Sequence, residues 1–501
     1  MRAPLEEDET GLPEQLRVRR AKRDRLLDSG TEAYPVRLER SHTLGEVRAA
    51  FEGGVAGAGT GRVVAIAGRI VALRDGGRVM FATLREGSGA ELQIMLAADR
   101  LGEELRSDWK RLVDLGDLIG ATGEVITTAR GELTVAVEDW RMAAKALRPL
   151  PVAHRPMSEE SRVRRRYLDL IMRPEAGEVV RIRSEALRTL RESFHRRDFL
   201  EVETPMLQTV PGGASARPFQ THSNAFDCDL YLRIAPELFL KRCVVGGLER
   251  VFEINRNFRN EGSDSSHSPE FCALESYQAF ADYRDMARLT RELVQETVRA
   301  VTGGEVVRHP DGTEVEFGGA WTEISLHGSL SEALGEEITP ETSVERLLKH
   351  AERLGVAPPA EATSGRLVED LFEAVVVPGL TAPTFVFDFP EETSPLARQH
   401  RSVPGLAEKW DLYVLGFELA TAYSELVDPV IQRERLMAQA AAGGRGDDEA
   451  MRLDEEFLTA LEHGMPPTGG MGMGFDRLLM AITGLGIRET VLFPLVRRER
   501  R

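Results

Sequence analysis

Five short runs with strand character, interrupted once by a helix, constrain the first third of this chain more than any other feature. They are RVVAIAGRIVAL from Arg62, RVMFATL from Arg78, ELQIMLA from Glu91, DLIGATGEVITT from Asp117 and ELTVAVEDW from Glu132. Between the third and fourth, DRLGEELRSDWKRLVDLG has helical spacing and closes at Gly116.

Five strands with a helix between the third and fourth predict an OB-fold barrel, an architecture that often binds single-stranded nucleic acid. Phe81 and Gln93 would then offer a stacking face and an amide to bases, although each taken alone reads as core or surface filler. Ahead of the barrel, LPEQLRVRRAKRDRLLDSG reads as a helix with a basic face ending at Gly30, either solvated or in contact with RNA. Residues 1 to 12 read as a frayed tail.

Pro149, Pro151 and Pro156 break both periods and mark a linker, so the first domain is expected to span 1–150 and the second 151–501. A length of 501 residues agrees with more than one core. In the second domain Ile182, Ala186, Leu190 and Phe194 recur every fourth residue, giving an amphipathic helix that runs into the strand FLEVETP. TPETSVERLLKHAERLG, capped by Thr339, and GRLVEDLFEAVV read as a helical insertion near 339–380. PTFVFDFP resumes strand character, and AQAAAGGRGDDEA from Ala438 reads as a flexible surface connection.

Hydrophobic residues at 42% and charged residues at 29% are those of a folded, soluble chain. No apolar run approaches the roughly 20 residues that span a bilayer, and the acidic start lacks the pattern of a signal peptide. A cytoplasmic location without membrane contact is expected. Cys228, Cys243 and Cys272 show neither metal spacing nor disulfide density. A net charge of −17 disfavours indiscriminate nucleic-acid binding but leaves room for a local basic face.

Three segments carry chemistry: FLEVETPMLQTVPGGASARPFQTH, RVFEINRNFRNEGSDSSHSPEFCALESYQAF and GGMGMGFDRLLMAITG. A glycine-rich turn before a helix can serve close packing alone. Arg259 and Arg477 in two such segments point further, because an arginine fork suits phosphate oxygens and stacks on a purine. A P-loop signature is absent.

The three segments resemble motifs 1, 2 and 3 of class II aminoacyl-tRNA synthetases, and the chain from about Leu12 to Arg498 resembles bacterial lysyl-tRNA synthetases. GGASARPF, YLRIAPELFLKR, VFEINRNFRNEG and YSELVDP carry this likeness in order and spacing. The resemblance implies an α+β protein: an anticodon-binding OB-fold barrel followed by a class II catalytic domain, an antiparallel sheet flanked by helices. It also implies a homodimer joined partly through motif 1. The activity implied is a ligase that forms lysyl-adenylate from L-lysine and ATP, then transfers lysine to tRNA(Lys).

By position, the resemblance makes Arg259 and Arg477 catalytic. Arg259 would hold the α-phosphate and the lysine carboxylate, while Phe271 and Arg477 would sandwich adenine. Glu261, His267 and Gly474 would complete the ATP site, and Asp411 and Glu418 would bind magnesium. Asp411 stands where glutamate is frequent. A substrate with two ammonium groups needs acids at both ends of an apolar trough. The resemblance assigns Gly213 and Glu237 to the α-amino group, Glu425 and Tyr277 to the ε-ammonium, and Tyr423 to the trough wall. Glu275, Thr421 and Gly472 complete the lysine site, and Phe81, Gln93 and Glu132 read the anticodon.

Ser266, Ser268, Thr421 and Val427 depart from the commonest family residues. Ser266 stands where an arginine often reaches the γ-phosphate. The alternatives are a paralogue that lysylates a non-tRNA acceptor, the soluble part of a phospholipid lysyltransferase, and a non-catalytic RNA-binding regulator.

Overall fold

The computed structural model describes residues 13–151, 155–262, 264, 267–359, 362–444 and 451–497. Ser266, the first twelve residues and the end of the AQAAAGGRGDDEA stretch lie outside the described residues. The chain forms two compact units, 1–177 and 178–501. Among the described residues no helix is long and apolar enough to cross a membrane.

In the first unit β1 (Gly59–Asp75), β2 (Val79–Arg85), β3 (Glu91–Ala97), β4 (Leu118–Thr127) and β5 (Leu133–Ala144) close a barrel in the order β1-β2-β3-β5-β4. The inward set includes Ile66, Ala82, Leu84, Leu92, Ile94, Val125 and Val135, so alternation along each strand fills one core. The amphipathic helix Glu103–Leu112 adds Trp109, which meets Trp140 edge to face at 5.3 Å.

The basic helix Glu14–Asp28 spends part of its charge on folding. Buried Arg19 donates to the carbonyls of Leu115 and Ala146, each at 2.9 Å, and Lys22 pairs with Asp114 at 2.7 Å. Neither alternative weighed from the charge run, solvated surface or RNA contact, describes these two residues.

The second unit contains β6 (Leu200–Glu201), β7 (Leu207–Gln208), β8 (Gln220–Ser223), β9 (Cys228–Leu232), β10 (Arg250–Phe258), β11 (Glu270–Ala279), β12 (Val306–Arg308), β13 (Glu314–Glu316), β14 (Thr322–Ser325), β15 (Thr384–Pro390), β16 (Leu406–Val414), β17 (Phe417–Ser424) and β18 (Thr468–Gly474). Eight of them make the main sheet, β14-β15-β16-β17-β18-β11-β10-β6. Its six central strands are antiparallel, while β14/β15 and β10/β6 pair in parallel at the two edges. The sheet is therefore mixed rather than wholly antiparallel. Periodicity identifies strands and cannot reveal their direction.

One sheet face packs on helices. Ala186, Leu190 and Phe194 from the helix Pro174–His195, with Leu293, Val294 and Val298 from Tyr283–Thr302, cover Phe252, Leu274, Trp410, Met471 and Met473. The helices Leu326–Leu334, Val344–Leu354 and Ser364–Val375 pack on the opposite face at Val386 and Tyr413. The first helix of the insertion starts later than its sequence suggests. Ser343 caps it, and Thr339 accompanies a turn before it, its amide donating to the Thr342 hydroxyl at 2.8 Å.

Two further segments differ from their sequence reading. In FLEVETP only Leu200–Glu201 joins the ladder, because β6 has a single neighbour at the sheet edge. Residues 438–444 continue the helix Pro429–Gly444 instead of forming a connection; alanines there favour helix over loop.

Candidate active site

Strand alternation builds the site on the sheet face opposite the main helical core. Phe271, Ala273, Glu275 and Tyr277 project from β11 on the side away from Cys272 and Leu274, which are buried under the helices. Cross-strand register then forms two rows. Glu253, Glu275, Gly472, Thr421 and Asp411 are successive partners, as are Tyr277, Gly470, Tyr423 and Lys409. Glycines in the middle of each row lower the floor. A Cβ at Gly470 would stand 2.6 Å from Tyr277 Cε1 and overlap Glu425 Oε1.

Over this floor lies a cavity of about 520 Å³. It brings together Gly213, Glu237, Arg259, Glu261, His267, Phe271, Glu275, Tyr277, Thr421, Tyr423, Gly472, Gly474, Glu418 and Arg477, residues that span more than half the chain. Ser268 also lines it. Two anticipated residues do not. Glu425 lies beneath Gly470, and Asp411 is buried beside Lys409.

At one end of the cavity acids dominate. Glu237 opens the helix Glu237–Val245, and the Tyr423 hydroxyl donates to its Oε2 at 2.8 Å. One helical turn on, Lys241 reaches back to Glu237 Oε1 at 2.7 Å and also lies 2.5 Å from Glu425 Oε2. The other oxygen of Glu425, Oε1, is buried without a hydrogen-bond partner. Burial pushes the pKa of Glu425 up, against the opposing pull of Lys241. It pushes Glu275 up to about 8, helped by the charge of Glu237. Burial works against the charge of Lys241 too, but Glu237 and Glu425 outweigh it and hold the ammonium's pKa above its ordinary value. A buried acid with an orphaned oxygen is a site short of a cation.

At the other end cations dominate. Arg259 leaves the β10 hairpin strand and stacks its guanidinium 5.1 Å from the Phe271 ring centre. Its Nε is buried without a partner, and burial depresses its pKa. Arg477 follows Gly474 into the helix Phe475–Thr483 and donates to the Glu418 carbonyl at 2.8 Å. His267 faces the Asp264 carboxylate at 2.9 Å. An orphaned guanidinium N–H beside an aromatic face suits an anion carrying a flat ring.

Glu418 lines the cavity with its side chain 42% exposed, open enough to reach a solute. Asp411 offers less: its Oδ2 is 3.3 Å from Lys409 Nζ and its Oδ1 has no partner. Among the described residues no three acids or histidines are grouped as a metal cage.

Sequence reasoning missed Lys241 and Lys409. The Glu237 to Lys241 spacing of four on a helix was a usable signal for the first. The second becomes visible only through the register of β16 against β17.

The barrel residues lie on its outer wall. Phe81 is half-buried beneath Arg74 at 4.9 Å, Gln93 donates to the Thr134 hydroxyl at 2.9 Å, and Glu132 is exposed between β4 and β5.

Comparison with known proteins agrees with this arrangement. Residues 158–497 match the family of class II tRNA synthetases (D, K and N), and residues 64–143 match the OB-fold nucleic acid binding domain. A lysine–tRNA ligase from Mycolicibacterium gilvum is 59% identical over 97% of this chain and 98% of its own length. One from Kineococcus radiotolerans is 60% identical over 98% and 99%. The chain belongs to the class II lysine–tRNA ligases. It is also 49% identical to a lysylphosphatidylglycerol biosynthesis bifunctional protein from Mycolicibacterium vanbaalenii, over 98% of this chain and 44% of that protein. Membership of this family brings ATP use with it.

Proposed function

We propose that this chain activates L-lysine with ATP and transfers the lysyl group to the 3′ end of tRNA(Lys). The carrying observation is the polarity of one cavity, lined by Glu237 and Glu275 at one end and by Arg259, its Nε orphaned, at the other. In this reading the ε-ammonium of lysine meets Glu425 and Tyr277, and the α-ammonium meets Glu237 beside Gly213. The methylenes lie along Tyr423, with Glu275, Thr421 and Gly472 beneath. Arg259 binds the α-phosphate and the lysine carboxylate, and adenine stacks on Phe271 with Arg477 above it. Glu261, His267 and Gly474 close the nucleotide pocket.

The chemistry follows from this placement. A lysine carboxylate oxygen attacks the α-phosphorus of ATP, the bond to the β-phosphate oxygen breaks, and pyrophosphate leaves. A ribose hydroxyl of the terminal tRNA nucleotide then attacks the lysyl carbonyl carbon, and AMP leaves with the bonding pair. No protein nucleophile is required. Holding the reactants in line, with Arg259 facing charge that grows on the phosphorus, supplies the acceleration.

Magnesium supplies charge neutralisation to polyphosphates when bound. Asp411 and Glu418 would hold it: Glu418 lines the cavity, and Asp411, with Oδ2 3.3 Å from Lys409 Nζ, keeps Oδ1 buried without a partner.

The domain division falls near residue 150 in this proposal, ahead of the segment from residue 158 that matches the synthetase family. Phe81, Gln93 and Glu132 face the anticodon. The active form is a cytoplasmic homodimer: Leu200, Met206 and Leu207, in or beside motif 1, are about half exposed near an open sheet edge, which a second copy would cover.

Lysine-dependent ATP–pyrophosphate exchange, run across all amino acids and followed by charging of tRNA with a UUU anticodon, tests the proposal. Absence of exchange would favour a non-catalytic RNA-binding protein. Exchange without charging would favour another acceptor for the lysyl group. Light scattering that gives one chain per particle would refute the dimer.

A further inference from the structure

The two walls proposed for adenine come from different elements. Phe271 stands on β11 and Arg477 on the helix Phe475–Thr483, and both line the cavity. The pairing of β11 with β18 runs from Ala279 opposite Thr468 to Ala273 opposite Gly474, so Phe271 lies two residues and Arg477 three residues past its end. Beyond that point the Asp476 side chain continues the connection, its Oδ2 accepting the backbone N–H of Cys272 at 2.7 Å. Its Oδ1 accepts from Arg183 Nη1 at 2.5 Å, and Arg183 belongs to the helix Pro174–His195. The Arg183 guanidinium also lies 5.0 Å from the Phe475 ring centre. Asp476 is 1% exposed and the Arg183 side chain 14%, so this charge-assisted pair is largely shielded from water. Cys272 adjoins Phe271 in sequence and Asp476 adjoins Arg477, so the carboxylate joins strand to helix one residue from each wall.

We propose that Arg183 and Asp476 are positioning residues for the nucleotide, which set the separation of Phe271 and Arg477 and with it the fit of the adenine ring. The inference rests on reading the cavity as the ATP site. Asp476 acts through the backbone of β11 and through the first turn of the helix that carries Arg477. Arg183 acts through Asp476, holding one carboxylate oxygen so that the other stays on the Cys272 amide. Contact attraction is short-ranged: a gap of roughly 0.5–1 Å at either wall already forfeits about a quarter to a half of it. Adenine is remote from the reacting phosphorus, so a loosened slot weakens ground state and transition state alike. Such a loss raises the KM for ATP and leaves kcat in place.

Pyrophosphate exchange by the full-length protein tests this for wild type, Arg183→Met and Arg183→Lys. Arg183→Met should raise the KM for ATP roughly tenfold, the shift that about 1.4 kcal/mol of lost binding gives. The KM values for lysine and for pyrophosphate, neither of which carries a base, should stay within about twofold of wild type, as should kcat. Arg183→Lys keeps a cation for Asp476 and should recover most of the loss. Asp476→Asn decides alone if Arg183→Met fails to fold. Its amide turns an acceptor to only one of the two donors, Arg183 and the Cys272 N–H, so it should show the same selective rise. An unchanged KM for ATP in whichever of these two variants folds, or equal rises in the KM for ATP and for lysine, would overturn the inference. Calorimetric titration of wild type with a non-hydrolysable ATP analogue separates the two layers. No binding would sink the ATP-site reading and this inference with it, whereas binding together with an unselective KM pattern sinks only the inference.

Discussion

Replacing Glu425 by Gln removes one buried charge and little volume, so it isolates what that charge does for lysine. Glu425 is 2% exposed, one oxygen beside Lys241 and the other without a partner. In the free protein the loss should be mild, because Lys241 keeps Glu237 at 2.7 Å and is not left as an unpaired cation. In the complex the substrate's ε-ammonium would lose its ionic partner in a dry pocket. Breaking such a pair costs about 2–5 kcal/mol. That corresponds to a fall in kcat/KM for lysine of roughly 30-fold to several thousand-fold, at about 1.4 kcal/mol per tenfold. Because the ε-ammonium is remote from the reacting carboxylate, the loss should fall mainly on the KM for lysine, with kcat less affected. Pyrophosphate exchange at varied lysine and saturating ATP measures this, with thermal unfolding as a control for the fold. Near-normal exchange at limiting lysine would refute the assignment, and a large drop in unfolding temperature would make Glu425 a structural residue instead.

Gly470→Ala should raise the KM for lysine and destabilise by about 1–3 kcal/mol, since the new methyl meets Glu425 and Tyr277 rather than a flexible chain end; an unchanged KM would remove Gly470 from the pocket floor. Phe81→Ala should weaken tRNA charging and leave exchange unchanged, whereas equal loss in both assays would make Phe81 part of the barrel core. Burial raises Glu275 from 4.5 to about 8 in the folded chain, so its contribution to stability is fully present below pH 4.5 and is lost as pH rises through 8. Glu275→Gln should therefore gain thermal stability relative to wild type between pH 5 and pH 9, and a difference independent of pH would refute the shift.

The fold was legible where one period dominates. Ile182, Ala186, Leu190 and Phe194 repeat at the helical interval and pack on one core, and the five alternating runs close as a barrel, because both patterns report a single buried face. Boundaries were less legible. Thr339 and Ser343 are both competent caps, and only the turn between them decides which one starts the helix. Segment 438–444 has few large apolar residues and read as loop, yet alanine favours helix without needing a core.

The sequence by itself determined most of the residues that line the cavity, since they fall in the motif segments. Tertiary structure decided how those side chains are paired. Lys241 joins Glu237 to Glu425, which lie 188 positions apart in the chain. Asp411 has one oxygen 3.3 Å from Lys409 Nζ, and Glu425 sits under Gly470. Spacing along a strand fixes which face a residue takes. Its partner across the sheet depends on register and strand order, and those are set by the packing of the whole unit.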